Sequence, residues 1–247
     1  DSIAKWGDLN DKTPDLDQTA KQLEVVGSGS VVNQNGFALN ITSGAHTIKG
    51  NGTGAGIFTV QGKPSSITLL AKDAKNLPTL TIGSGDANTN AHVTVDTVTN
   101  TMGTLNIEGH GADVADPAAT NTSALNAKTI IIGGEGTKEA DKAEVNVKGF
   151  ASLNATGTAD GEGLIVGKNG KLVIGVGDAD KLAQVTGKIQ INGGKVNFNG
   201  QKKTGAILGS ESSTIVIAGG VVSNENNDKG GTIQGSSITL NGTGNIT

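Results

Sequence analysis

Short runs of alternating β-forming residues return about every ten positions along the chain, with Gly, Asn and Ser between them. The runs are Glu24–Val26, Phe37–Ile41, Gly56–Val60, Ser66–Leu70, Thr79–Ile82, His92–Val95, Thr104–Ile107, Thr129–Ile132, Glu144–Val147, Gly163–Val166, Leu172–Ile174, Lys188–Ile191, Lys195–Phe198, Ala206–Leu208, Thr214–Ile217 and Ser237–Leu240. Few of them are joined by the two-residue loop of a hairpin. Strands this short bury an apolar face only when each turn of the chain pairs with the turns above and below it. The pattern therefore predicts an all-β fold, a β-solenoid with about three short strands per rung.

The composition agrees with a narrow interior. The 247 residues include 39 Gly and only 4 Pro, which is typical of turns rather than of disorder or collagen. Aromatic residues are limited to 4 Phe and 1 Trp, so stacked Ile, Val, Leu and Ala have to fill the core. All 19 basic residues are Lys, Cys is absent, and the net charge is −4. These counts exclude disulfides and thiolate metal sites, and they argue against nucleic-acid binding.

Residues 1–24 differ from the rest of the chain and are predicted to form an N-terminal cap or lid. They contain the only Trp and a quarter of the acidic residues. Thr13–Asp15 resembles the start of a helix, with a capping threonine, a proline and an acid in the first turn. Leu16, Ala20 and Leu23 then fall on one helical face. We expect a short amphipathic helix or an irregular lid over the first turn of the solenoid.

Residues 25–247 carry the strand rhythm and form the second predicted region. Three strands and their corners need about 20 residues, which predicts about 10 to 11 rungs and a rod on the order of 50 Å long. In Lys188–Phe198, alternation directs Ile189 and Ile191 inward, with a corner at Asn192–Gly194. The sequence stops within the rhythm at Asn245–Thr247, so we expect a fragment truncated at its C-terminal side.

Three segments break the rhythm and are predicted to be loops that project from the rod: Glu108–Ala127, Gly133–Ala143 and Gly177–Ala183. Insertions in solenoids often collect on one flank, where partners reach them. The charged residues of the first two loops are the candidate binding residues, namely Asp113, Asp116, Lys138 and Glu139.

No residue pattern predicts catalysis, a metal site or a cofactor. His46, His92 and His110 lack the close spacing of zinc ligands, and we expect each to be polar and exposed. Gly109–Gly111 resembles a short signature of β-helical polygalacturonases, but the acidic pair and the arginine of that family are missing. Asp160–Glu162 and the acids near Asp178 are expected to be solvated corners rather than calcium ligands.

Three repeating units, Gly170–Gly175, Ile191–Phe198 and Ile238–Gly244, resemble the passenger domains of bacterial autotransporters, and the most similar type is the AIDA-type self-associating adhesin. The resemblance covers residues 25–247. It implies a right-handed parallel β-helix that is exported through the outer membrane and displayed on the cell surface. The translocating β-barrel of that family is not in this chain.

The resemblance implies a non-enzymatic adhesin of a Gram-negative bacterium, which acts in self-association, aggregation, biofilm formation and virulence. The expected partner is another copy on a neighbouring cell, with a host extracellular-matrix protein or a glycosaminoglycan as further candidates. One alternative is a carbohydrate-active β-helix enzyme or phage-type depolymerase, against which the scarcity of aromatic sugar platforms argues. Others are a two-partner-secretion adhesin, suggested by Val32–Phe37, and a passive stalk.

Overall fold

The computed structural model describes residues 15–16, 24–27, 30–32, 37–50, 56–59, 65–83, 90–110, 122–134, 142–176, 182–199, 206–224 and 231–247. Every regular element in these ranges is a β-strand, and none of the described residues forms an apolar helix of membrane-spanning length. In chain order the strands are β1 (Asp15–Leu16), β2 (Glu24–Gly27), β3 (Ser30–Val32), β4 (Phe37–Ile41), β5 (Ala45–Gly50), β6 (Gly56–Thr59), β7 (Ser65–Leu70), β8 (Thr79–Gly83), β9 (Ala91–Gly109), β10 (Ser123–Ile132), β11 (Ala143–Gly149), β12 (Ala151–Ala155), β13 (Gly163–Gly167), β14 (Gly170–Val176), β15 (Ala183–Asn192), β16 (Lys195–Phe198), β17 (Ala206–Gly209), β18 (Thr214–Ala218), β19 (Val221–Asn224), β20 (Thr232–Gln234), β21 (Ser237–Asn241) and β22 (Asn245–Ile246).

Parallel pairing sorts these strands into three ladders, which are the three faces of the coil. Face 1 contains β1, β4, β7, the middle of β9, the second half of β10, β13, the second half of β15, β18 and β21. Face 2 contains β2, β5, β8, the end of β9, β11, β14, β16, β19 and β22. Face 3 contains β3, β6, the start of β9, the first half of β10, β12, the first half of β15, β17 and β20.

The chain visits face 1, face 2 and face 3 in that order and then returns to face 1 one level further along the rod. Crossovers between parallel strands are right-handed in almost all sheets. The fold is therefore a right-handed parallel β-helix with three short strands per rung, which confirms the prediction from the sequence. Every run singled out by its alternating residues overlaps a strand of the structure.

The core consists of inward rows, in which paired residues of successive rungs lie one above another. The face 1 row is Leu39, Ile67, Val98, Ile130, Leu164, Ile189 and Ile215. The face 2 row is Ile48, Ile82, Ile107, Val147, Ile174 and Phe198. A row of small residues on face 3, Ser123, Ala151, Ala183 and Ala206, fits where the interior is narrow. All these side chains are buried.

Stacking is what removes these side chains from water. Ile215 and Ile217 have rungs on both sides, and both are 0% exposed. Ile238 and Leu240 occupy the same two rows in β21, where they are 45% and 55% exposed. Burial of a side chain of this size contributes roughly 1.5–3 kcal/mol. Each rung therefore depends on its neighbours for much of its stability.

The rungs are longer than the sequence led us to expect. Ala183 pairs with Ala206, 23 positions later, whereas Gly103 pairs with Ala143, 40 positions later. The estimate of about 20 residues per rung is therefore too short. The number of residues between successive strands differs from one rung to the next, and this accounts for the difference. The described chain accordingly forms fewer rungs, and a shorter rod, than predicted.

All three predicted loops also need new boundaries. Glu108 and Gly109 belong to β9, and Ser123–Ala127 is the start of β10, so both ends of Glu108–Ala127 belong to strands. Ala143 and Ala183 begin β11 and β15. These strand starts are rich in Ala because their inward side chains belong to the narrow part of the core.

The predicted N-terminal helix is wrong at Asp15–Leu16. Asp15–Leu16 is a strand rather than the first turn of a helix, and it pairs in parallel with Asn40 and Ile41 of β4. The pairing adds β1 to the edge of face 1. There β1 provides hydrogen-bond partners for the backbone N–H and C=O groups of β4, which a helix would leave unpaired. Ala20 and Leu23 lie outside the described residues, and the cap over residues 1–24 stays a prediction.

The inward row of face 1 gives a direct test of the fold. Ile130→Ala removes a core side chain that is 1% exposed and should destabilise the protein by about 2–5 kcal/mol. Ile131→Ala, the adjacent outward position, should cost less than about 1 kcal/mol. Urea unfolding followed by circular dichroism measures both. Equal losses in the two variants would contradict the assigned faces.

Candidate interaction surface

Polar side chains follow the outside of face 3 in a continuous ladder. Thr94, Asn126, Asn154 and Thr186 occupy paired positions on successive rungs. Thr186 Oγ1 donates to Asn154 Oδ1 at 2.9 Å, and Asn154 Nδ2 donates to Asn126 Oδ1 at 2.8 Å. Asn126 Nδ2 then donates to Thr94 Oγ1 at 3.4 Å. The groups of this ladder satisfy one another along the rod, so they stiffen it.

A second ladder follows the outside of face 2. Asn146 Nδ2 donates to Asn106 Oδ1 at 3.1 Å, and Asn106 Nδ2 donates to Thr81 Oγ1 at 3.4 Å. Further along the same row, Ser223 Oγ donates to Asn197 Oδ1 at 2.7 Å. In both ladders the donor lies on the later rung and the acceptor on the earlier one.

The face 2 ladder is interrupted at one position. Val173 lies between Asn146 and Asn197 in the row, and its side chain carries no acceptor. Asn197 is 3% exposed, and its Nδ2 has no hydrogen-bond partner among the described residues. In these ladders each donor bonds to an acceptor on the preceding rung. The acceptor for Asn197 Nδ2 would therefore have to come from position 173, where valine has none.

Two lysines on face 2 each form an ion pair with a carboxylate on the preceding rung. Lys148 Nζ lies 2.9 Å from Glu108 Oε1, and Lys171 Nζ lies 3.7 Å from Glu144 Oε2, both on face 2. Exposed pairs of this kind contribute little stability, typically below about 1 kcal/mol. Their main consequence is that neighbouring charges of opposite sign neutralise each other.

Six charged residues of the described chain lie along the corner between face 3 and face 1: Asp96, Lys128, Asp160, Glu162, Lys188 and Glu211. We call the four that form ion pairs the charged ridge: Asp96, Lys128, Asp160 and Lys188. Lys128 Nζ lies 2.7 Å from Asp96 Oδ1, and Lys188 Nζ lies 3.6 Å from Asp160 Oδ1. The sign of the charge alternates from rung to rung along the ridge. The side chains of Lys128 and Asp160 are 62% and 114% exposed, so both remain open to solvent.

Asp96 also fastens two rungs together. Its Oδ2 accepts from the Ser65 backbone N–H at 2.9 Å and from Ser65 Oγ at 3.2 Å, while the Asp96 N–H donates to Ser65 Oγ at 2.9 Å. The hydrogen bond from Lys128 is the largest cause that lowers the pKa of Asp96, and the Ser65 N–H adds to it. The same contact raises the pKa of Lys128, and the charge of Glu162 contributes a smaller effect.

The outside of face 1 has a different character. One outward row is Asn40, Thr68, Thr99, Ile131, Ile165, Gln190 and Val216. Each of these side chains is half-buried, and no side-chain hydrogen bond joins successive members of the row within the described part of the chain. Face 1 is therefore the face whose outward groups are not committed to a ladder.

The histidines do not all behave as predicted. His46 is 1% exposed, because it belongs to a second inward row of face 2, where it pairs with the buried Leu80. Its Nε2 lies 2.8 Å from the Ser43 carbonyl oxygen. The expectation of an exposed His46 is therefore wrong. His92 and His110 are half-buried, and His92 Nε2 lies 2.7 Å from the Thr122 carbonyl.

A buried amide anchors the start of the longest insertion. Asn90 is 1% exposed; its Nδ2 donates to the His110 carbonyl at 3.0 Å, and its Oδ1 accepts from the His110 N–H at 2.9 Å. Ser123 Oγ donates to the Glu108 carbonyl at 2.7 Å. No pattern in the sequence indicates this clamp, because its members come together only when the rungs are in register.

The candidate binding residues Asp113, Asp116, Lys138 and Glu139 lie outside the described residues, as do Asp178 and Asp180. In the corner suggested for calcium, Glu162 Oε2 accepts from the backbone N–H groups of Thr158 and Ala159 and thus closes its own turn. Within the ranges that the structure describes, no three His, Cys, Asp or Glu residues are grouped to hold a metal ion.

Comparison with family models, with curated proteins and with solved structures gives no match for this chain.

The interruption at Val173 leads to an unusual prediction. Val173→Asn supplies the missing acceptor for Asn197 Nδ2, so it should be more stable than Val173→Ala by about 1 kcal/mol. Urea midpoints of the two variants measure the difference. A less stable asparagine variant would show that the face 2 ladder does not follow the donor–acceptor rule.

The contacts of Asp96 with Ser65 and Lys128, which we call the Asp96 clip, should make stability depend on pH. The lowered pKa means that its contribution is fully present above the unfolded value near 3.9 and is lost as the pH falls through the folded value. Asp96→Asn should therefore lower stability at pH 7, by about 1–2 kcal/mol, and flatten the acid limb of the stability profile. Asp160→Asn, which removes a fully exposed carboxylate, is the control and should change stability by less than about 0.5 kcal/mol. An unaltered acid limb in Asp96→Asn would contradict the role given to the clip.

Proposed function

We propose that this chain is a rigid adhesive rod, displayed on the surface of a Gram-negative cell, that associates side by side with copies of itself. The observation that carries the proposal is the unequal use of the three faces. Faces 2 and 3 commit their amides and hydroxyls to ladders along the rod. Face 1 presents an outward row of Asn, Thr, Ile, Gln and Val side chains, and no hydrogen bond joins successive members of that row in the described rungs.

A rigid flat face suits adhesion through many weak contacts. Each polar contact contributes only about 1 kcal/mol, but contacts on successive rungs of one rigid body form together. The ladders and the inward rows hold the rungs in fixed register, so the ordering cost is met during folding rather than during association. The self-association of cells, and from it aggregation and biofilm growth, follows from such contacts between neighbouring rods.

The arrangement of charge favours a second copy over a sulfated glycan as the partner. Lys128, Lys148, Lys171 and Lys188 each lie within 4.0 Å of a carboxylate of the same chain. A glycosaminoglycan would have to compete with those carboxylates, and the bidentate grip of arginine is missing from the sequence.

The same pairing supports a non-enzymatic role. Asp96, Glu108 and Glu144 each contact a lysine, and Glu162 closes a turn. Glycoside hydrolysis generally needs two carboxyl groups that flank the scissile bond. The carboxylates named here have structural partners instead.

Display of the chain on cells tests this proposal. Cells that carry it should clump and settle faster than cells that carry the anchor alone, and clumping should weaken as salt rises because ridge charges are screened. Turbidity at the top of a standing culture measures settling. Equal settling of displaying and control cells would refute self-association.

A further inference from the structure

Two isoleucines lie next to each other near the middle of face 1. Ile131 and Ile165 are paired across adjacent rungs, and both point outward. The row beside them is Thr129 followed by Gly163, so small side chains flank the isoleucines. On the rungs before and after, the same row continues with Thr99 and with Gln190. Face 1 thus has an apolar centre with polar residues on both sides along the rod.

The charged ridge borders this centre and has a defined order. Asp96 and Lys128 lie on the rungs of Thr99 and Ile131, and Asp160 and Lys188 lie beside the rungs of Ile165 and Gln190. The order along the ridge is negative, positive, negative, positive. Glu162 adds a second negative charge beside Asp160, and Glu211 places a negative charge on the rung after Lys188, so the alternation continues. A row with this order is complementary to itself when one copy is reversed, and it sets like charges opposite each other when both copies run the same way and the ridges meet.

We propose that face 1 docks on face 1 of a second copy that runs antiparallel, with a two-fold axis between the rungs of Ile131 and Ile165. This inference rests on the proposed function and specifies its surface. A two-fold axis that crosses the rods in the interface plane reverses the rod direction but keeps each ridge opposite the other ridge. Ile131 then contacts the partner's Ile165, and Lys128 faces the partner's Asp160.

The rung spacing argues for a second copy as the occupant. A flat partner has to match a repeat of about 4.8 Å over several rungs, and another copy of the same solenoid does so by construction. Lys128 and Asp160 are each paired within the chain, but their side chains are exposed, so each can face the partner copy while it keeps its own ion pair. An apolar centre with a charged border is also the usual anatomy of a protein interface.

The first experiment places a charge at the centre of the surface. Ile165→Lys should raise the dimer dissociation constant of the purified protein at least about tenfold, as measured by sedimentation velocity. Ile207→Lys is the matched control, because Ile207 is half-buried and points outward from face 3. It should dimerise like the unaltered protein. Circular dichroism and thermal unfolding check that both variants fold.

The second experiment exchanges charges on the ridge. Lys128→Glu alone and Asp160→Lys alone each put like charges opposite each other twice in a dimer, so each should dimerise weakly. An equimolar mixture of the two variants restores both attractive contacts and should recover most of the dimer. Recovery in the mixture separates a contact between copies from loss of the ion pairs within each chain, since those remain broken.

The outcomes distinguish this surface from the wider proposal. A dimer that persists in Ile165→Lys and gains nothing from the mixed variants overturns the face 1 surface and leaves self-association standing. Weakening by Ile207→Lys but not by Ile165→Lys overturns it in favour of face 3. An unaltered protein that stays monomeric at high concentration and low salt overturns both the surface and the proposed self-association.

Discussion

The structure depends on the stacking of apolar side chains between rungs. No rung has a core of its own, because three short strand segments enclose only a thin layer of Ile, Val, Leu and Ala. Ile215 is fully buried with rungs on both sides, whereas Ile238 in the same row is 45% exposed. The free energy of folding therefore comes from contacts between neighbouring rungs, as in other solenoids. The outward side chains do not contribute to this core.

The outward side chains divide into two kinds of use. On faces 2 and 3, asparagine, threonine and serine groups bond to the rung below, in one direction, and lysines neutralise carboxylates. These contacts hold register and absorb the polarity of the surface. Face 1 is left with flat β-branched rows and a ridge whose charges alternate along one corner. Because face 1 differs from faces 2 and 3 in this way, the rod is a candidate for specific lateral association through face 1.

Much of the fold follows from the sequence, since alternating Ile, Val and Thr mark strands such as Thr129–Ile132 and Lys188–Ile191 without ambiguity. Strands with small or polar residues, such as β12 (Ala151–Ala155) and β5 (Ala45–Gly50), lack that pattern and are not predicted from the sequence. The side-chain ladders of faces 2 and 3 are not predicted either, for a different reason. Asn126 and Asn154 meet because the residues between them complete one turn of the coil, and strand periodicity does not determine how many residues connect the strands within that turn. Burial of His46 is equally invisible until the inward row of face 2 is known.

Small-angle X-ray scattering over a range of concentrations tests the central claim most directly, because it measures the length and the cross-section of the particle separately. Ile131 and Ile165 lie near the middle of face 1, so antiparallel copies overlap along most of the rod. We expect the cross-sectional radius to grow as concentration rises while the length hardly changes. Growth in length at a constant cross-section, or a compact particle at every concentration, would contradict a stacked rod that associates through its side.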